Sequence, residues 1–245
     1  MSFPNSDHKK RSIKIAGLSF NFQITWKKVR SLLIEAIRIQ NAKIIVFPEH
    51  ALDNIASNSK VKVSTILEKL LKLALRFQVS IIPGTYIMNG VPTCPLISKG
   101  LIIGEVKKRA TPRRNLVDSM KTGLKLFNIE GLRSCILICR DIERYQVKEM
   151  VQRIAKEDKI DLIINPSLIT MKNPGMLYLR QEGLEIAREL AGENLSQFTN
   201  KIKCILFRVD WAESIEEGII GTTLAINGQK IIIASQKTEI FIVST

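Results

Sequence analysis

Three side chains, far apart in this sequence, share one kind of position. Glu49 stands just past the apolar run "IIVFP", Lys108 just past "GLIIGEVK", and Cys139 follows "SCILI". A thiol, an ammonium and a carboxylate are together sufficient to break a C–N bond by acyl transfer. The thiol is a weak nucleophile until it loses its proton; a nearby lysine lowers its pKa and a carboxylate takes the proton. The same lysine, with the backbone N–H of Arg140, is suited to stabilise the oxyanion of a tetrahedral intermediate. The glutamate then protonates the departing amine and activates water to release the thioester. This chemistry requires no histidine, no metal and no other cofactor.

Taken singly, each residue has a plainer explanation. A cysteine in an apolar strand is commonly a small buried hydrophobe, and period-2 alternation puts Cys135 on the same face as Cys139 in that role. A glutamate after proline commonly opens a helix, and a lysine in the basic stretch "KKRATPRR" is commonly solvated. Only His8 and His50 are available as imidazole bases, and His8 lies in the polar first residues. His50 adjoins Glu49, but neighbours beyond a strand end tend to diverge, so it reads as a rim or helix-start residue.

Spacings of 59 residues from Glu49 to Lys108 and 31 from Lys108 to Cys139 leave their meeting to the fold. Ligands of open α/β sheets bind beyond the carboxyl ends of strands, where all three residues stand. "SIKIAGLSF" alternates as a strand, "TWKKVRSLLIEAIRIQ" has the three-and-four spacing of an amphipathic helix, and "AKIIVFPEH" is a short apolar strand. The pattern recurs with the helix "VSTILEKLLKLALRF", the strand "VSIIPGTYI" and two strands around a Lys-Gly turn in "CPLISKGLIIGEVKK". "SCILIC" reads as strand, "YQVKEMVQRIAKE" as helix and "IDLIINPS" as strand. Residues 178–198 read as a longer helix, and "CILFRVDWA", "IIGTTLAING", "KIIIAS" and "EIFIV" as a closing run of strands. Alternation of this kind predicts an α/β sandwich.

Composition narrows the possibilities. The 245 residues, 45% hydrophobic, suffice for a large core, and we expect a polar, basic tail over 1–11 followed by one domain over 12–245. The polar first residues and the lack of roughly 18 consecutive apolar residues predict a cytoplasmic protein without a membrane span. Cys94, Cys135, Cys139 and Cys204 form no C-x-x-C pair, which argues against a zinc cluster or a disulfide scaffold. A net charge of +14 admits a polyanionic partner, while 6% aromatics offer few stacking platforms for bases.

In their order and surroundings these residues resemble the nitrilase superfamily, the carbon-nitrogen hydrolases, whose signature is a Glu-Lys-Cys triad. "IIVFPEHAL" is similar to the strand ending in F-P-E and supplies Glu49. "GLIIGEVKK" is similar to a G-x-x-x-G-x-Y-x-K pattern and supplies Lys108; "ICRD" is similar to I-C-Y-D and supplies Cys139 and Asp141. "DLIINPS", "RELAGEN" (Arg188, Ala191, Glu193, Asn194) and "GTTLAING" resemble flanking features, so the likeness runs over about residues 12–236. Val106 and Arg140 stand where the family usually has an aromatic, and no second glutamate follows the lysine, Asp118 being the nearest acid.

The resemblance implies a four-layer α-β-β-α sandwich, assembled as a homo-oligomer, often a dimer. It also implies hydrolysis of a small amide or N-carbamoyl compound, with Cys139 as nucleophile, Glu49 as general base and acid, and Lys108 as oxyanion stabiliser. Arg140, together with Arg109, Arg113 and Arg114, suggests a pocket for a substrate carboxylate. Two alternatives stay open on the same scaffold: a catalytically silent protein, and one that binds nucleic acid.

Overall fold

In the computed structural model, residues 12–109, 123–168, 194–212, 223–228, 230–233 and 240–245 are described. Within them the apolar and alternating stretches become strands β1 (Lys14–Leu18), β2 (Ile44–Val46), β3 (Ser80–Ile82), β4 (Tyr86–Met88), β5 (Val91–Ser98) and β6 (Leu101–Lys107). They continue as β7 (Leu126–Ile129), β8 (Leu132–Ile136), β9 (Leu162–Pro166), β10 (Ile205–Val209), β11 (Leu224–Asn227), β12 (Lys230–Ile233) and β13 (Ile240–Ser244). The helices are α1 (Trp26–Arg38), α2 (Ala51–Asn58), α3 (Val63–Phe77) and α4 (Tyr145–Glu157), with a 3-10 turn over Cys139–Glu143 and helical residues at 194–202.

Several boundaries differ from the sequence expectation for identifiable reasons. "VSIIPGTYI" is two strands, β3 and β4, because Pro83 offers no N–H and Gly84 takes φ +73°. Strand β7 has no counterpart in the sequence expectation, whereas helix α2 begins at His50, in agreement with its reading as a helix-start residue. The Lys99–Gly100 turn is present, and Asn89–Gly90 and Glu130–Gly131 make hairpin turns of the same kind, with positive φ at both residues of each pair. Residues 178–193 of the expected longer helix lie outside the described residues, and helix continues past 198 to 202.

Two sheets result. One is seven-stranded, in the order β13-β1-β2-β3-β5-β4 with β6 paired to β5; the other is six-stranded, β12-β11-β10-β9-β8-β7. Parallel pairs β1–β2, β2–β3, β8–β9 and β9–β10 form their centres. The closing strands are not one meander: β13 leaves the second sheet and pairs antiparallel with β1.

Helices cover both outer faces. In α1 the buried residues Val29, Leu32, Leu33, Ala36 and Ile37 form one stripe, packed with α2 and α3 on Ala16, Leu18 and Ile45 of the first sheet. Helix α4 buries Val147, Met150 and Val151, of which the valines pack on Cys135, Ile163 and Leu206 of the second sheet. Between the sheets Ile15, Ile44 and Val46 meet Ile138, Ile164, Phe207 and Val209. Gly17 makes that approach possible, since a Cβ there would stand 2.8 Å from Val209 Cγ2. The layers are α-β-β-α, as expected. No helix among the described residues is long and apolar enough to cross a membrane.

Candidate active site

Strand β2 delivers Glu49. Beyond Val46 the chain continues the ladder for one bond, Phe47 N–H to Ile82 O at 2.8 Å, and Pro48 then turns it off the sheet. Glu49 is 1% exposed and held by its backbone on both sides. Its N–H donates to Ser167 O at 3.1 Å, and its carbonyl accepts from Trp211 Nε1 at 2.7 Å. His50 has φ +61°, gives its N–H to Thr85 Oγ1 at 2.9 Å and starts α2. Gly84 lies against this turn so closely that a Cβ would meet Pro48 O at 1.9 Å.

Strand β6 delivers Lys108, whose N–H donates to Pro92 O at 2.9 Å. Its ammonium reaches Glu49 Oε1 at 2.6 Å, with the lysine side chain 18% exposed. The next residue ties this segment to the third: Arg109 N–H donates to Asp141 Oδ2 at 2.9 Å. Asp141 of the "ICRD" stretch is therefore a clamp between the lysine and cysteine segments.

Strand β8 delivers Cys139. Leu137 N–H still bonds Ile164 O at 3.0 Å, and Cys139 then takes φ +51° to open the 3-10 turn. That left-handed residue breaks the alternation, which corrects one expectation. Cys135 faces the helices of the second sheet, whereas Cys139 joins the cluster between the sheets. The Cys139 sulfur donates to Leu168 O at 3.3 Å and lies within electrostatic reach of the Glu49 carboxylate and the Lys108 ammonium.

The electrostatics correct a second expectation. Burial, then Glu49, push the Cys139 thiol up to about 11; Lys108 and the Leu168 bond pull it down by less. The resting group is a neutral thiol rather than a lysine-activated thiolate. Burial by itself would lower Lys108, but the carboxylates of Glu49 and Asp141, Glu49 first, outweigh it and hold the ammonium charged. His50 does not diverge from Glu49: its Nε2 is 3.7 Å from Glu49 Oε1, and Nδ1 is 3.9 Å from Asp53.

Glu49, Lys108 and Cys139 are thus brought together from three strand ends. Arg140 is exposed, while Arg109 is buried and donates to Gly123 O. Arg113, Arg114, Asp118, Arg188, Ala191, Glu193 and the residues 1–11 with His8 lie outside the described residues; Asn194 begins the helical stretch at 194–202. Sequence reasoning missed Trp211, whose signal was a lone tryptophan just past the strand "CILFRV". Among the described residues no group of three or more His, Cys, Asp or Glu is arranged to hold a metal ion.

No family model and no curated protein matches the sequence. Solved structures do match in fold. A carbon-nitrogen hydrolase from Helicobacter pylori G27 is 16% identical with TM-score 0.70, covering 95% of this chain and 88% of its own. Nit3 of Saccharomyces cerevisiae, a member of branch 10 of the nitrilase superfamily, is 17% identical with TM-score 0.66, covering 95% and 89%. A mutant of the amidase from Nesterenkonia sp. AN1, with the acetamide moiety of fluoroacetamide covalently added at its active-site cysteine, is 13% identical with TM-score 0.66, covering 95% and 90%. The fold is that of the nitrilase superfamily.

Proposed function

We propose that this chain hydrolyses a C–N bond of a small amide or N-carbamoyl compound through a thioester on Cys139. The observation that carries the reading is the enclosed contact of Lys108 with Glu49, at 2.6 Å, beside the Cys139 sulfur. Because that thiol is neutral at rest, attack on the substrate carbonyl is coupled to proton transfer from sulfur to Glu49. The oxyanion forms against the Lys108 ammonium and the Arg140 N–H. Glu49 returns the proton to the departing ammonia or amine, and the C–N bond breaks to leave the thioester. Water then gives a proton to Glu49 as it attacks; collapse releases the acid, and the proton returns to the sulfur.

Arg140, exposed next to the nucleophile, is the candidate partner for a substrate carboxylate. A carboxylated amide should outrun its neutral methyl-ester analogue, and equal rates would remove that part of the reading. The homodimer implied by the resemblance belongs to the same proposal and is checked by the mass in solution.

The decisive experiment is a screen of small amides for ammonia or amine release, run on wild type and Cys139→Ala together. The variant should keep its fold and lose turnover. Residual activity near wild type refutes the assignment. A basic chain of net charge +14 also supports a rival reading as a polyanion binder. It predicts duplex or single-stranded nucleic-acid binding that weakens steeply with salt.

A further inference from the structure

Behind the Cys139 turn, on the helix-covered face of the second sheet, sits a fully buried guanidinium that the proposed reaction does not use. Arg208 of β10 and Asn165 of β9 are register partners, and both are 0% exposed. Arg208 Nε donates to Asn165 Oδ1 at 2.7 Å. An arginine can only donate, so it selects which end of the amide faces it and leaves the NH₂ group pointing away. That group donates to Leu137 O at 2.6 Å and to Cys139 O at 3.0 Å, the two carbonyls that flank Ile138. Arg208 Nη2 also reaches Glu143 Oε1 at 3.3 Å, at the far end of the same 3-10 turn.

One arginine therefore grips both ends of the turn that carries the sulfur. Among the described residues its third nitrogen, Nη1, is buried without a hydrogen-bond partner. An incompletely satisfied buried cation is an expensive way to stabilise a sheet, since a well-packed apolar residue at such a site commonly serves as well or better. The backbone it supports is itself strained, because a cysteine at φ +51° has the left-handed conformation that side-chain-bearing residues disfavour.

We infer that Asn165 and Arg208 are positioning residues, whose hydrogen-bonded chain holds Cys139 in its left-handed turn so that the sulfur stays beside Glu49 and Lys108. The functional consequence rests on the proposed reading of Cys139 as nucleophile; the geometric one does not.

Two readouts separate them. The first is the rate at which fluoroacetamide alkylates Cys139, followed by intact mass and peptide mapping. A sulfur–carbon bond forms, the carbon–fluorine bond breaks, fluoride leaves and the thiol proton passes to Glu49. Asn165→Ala and Arg208→Met should slow the adduct about 10- to 100-fold at equal folded fraction, the size of effect that small misplacements produce. Arg208→Lys, which still donates one bond to Asn165, should lie between them and wild type; if Arg208→Met does not fold, it and Asn165→Ala carry the test. The second readout is the crystal structure of Asn165→Ala, in which φ of Cys139 should leave the left-handed region. A retained left-handed Cys139 overturns the inference, as do lowered melting temperatures with adduct rates within about two-fold of wild type. If wild type forms no adduct while the variant turn relaxes, the proposed function falls and the positioning chain stands.

Discussion

The proton on the Cys139 sulfur decides what the proposed reaction asks of Glu49. Raised from 9.0 to about 11 by burial and by Glu49, the thiol reaches neutral pH uncharged, so the proposed attack requires a base. The same shift makes a stability prediction. Below pH 9 the thiol is protonated in folded and unfolded chains alike, so its contribution is intact. As pH climbs from 9 towards 11 the unfolded chain ionises first, and stability falls by up to about 1.4 kcal/mol per pH unit for each such thiol. Cys204, pushed up to about 12 by burial and Asp161, acts in the same direction. Denaturation free energies measured from pH 8 to 11 should therefore decline above about 9, and Cys139→Ala or Cys204→Ala should make the decline shallower. Removing the other charge of the pair is harsher. Lys108→Met leaves the buried Glu49 carboxylate without its ammonium and should cost about 3 kcal/mol at pH 7, read from urea midpoints.

At the level of elements, Glu49, the proposed base, is held by a turn clamped from three directions. Ser167 after β9, Trp211 after β10 and the Gly84–Thr85 bend all bear on residues 48–50. Gly84→Ala adds a methyl into the Pro48 carbonyl at a backbone angle that disfavours it. It should cost about 2–4 kcal/mol and lower the rate of Cys139 modification together with stability. Trp211→Phe keeps the aromatic packing on Phe20 and Phe22 but leaves the Glu49 carbonyl without its indole partner. A loss of about 1–3 kcal/mol is expected, measured by chemical denaturation, with turnover reduced more than substrate affinity. Neither clamp could be read from the chain, because each joins residues more than thirty positions apart through one contact. Helix α2 was legible only at its start, His50, because its eight residues are too few to establish a periodicity beside the Phe-Pro-Glu motif.

Across the whole molecule the balance of charge is one-sided. A net +14 repels itself in the folded state, and added salt screens that repulsion, so the melting temperature should rise between low and moderate sodium chloride. A fall would mean that specific ion pairs outweigh the net charge. The apolar runs, the three-and-four spacing of α1, α3 and α4, and the Lys99–Gly100 turn were all legible in the sequence, since local periodicity and turn chemistry fix secondary structure at short range. The three strand-end residues were legible as candidates for the same reason. The break of alternation at Cys139 was not: a left-handed turn at a non-glycine residue is imposed by tertiary hydrogen bonds, here on the carbonyls of Leu137 and Cys139. Nor was the departure of β13 to pair with β1, which depends on which sheet edge the folded core leaves open. The sequence by itself determined the candidate reactive groups and the strands that carry them. Only the tertiary structure decided that the thiol rests neutral, because burial and distance from a carboxylate are properties of three-dimensional packing.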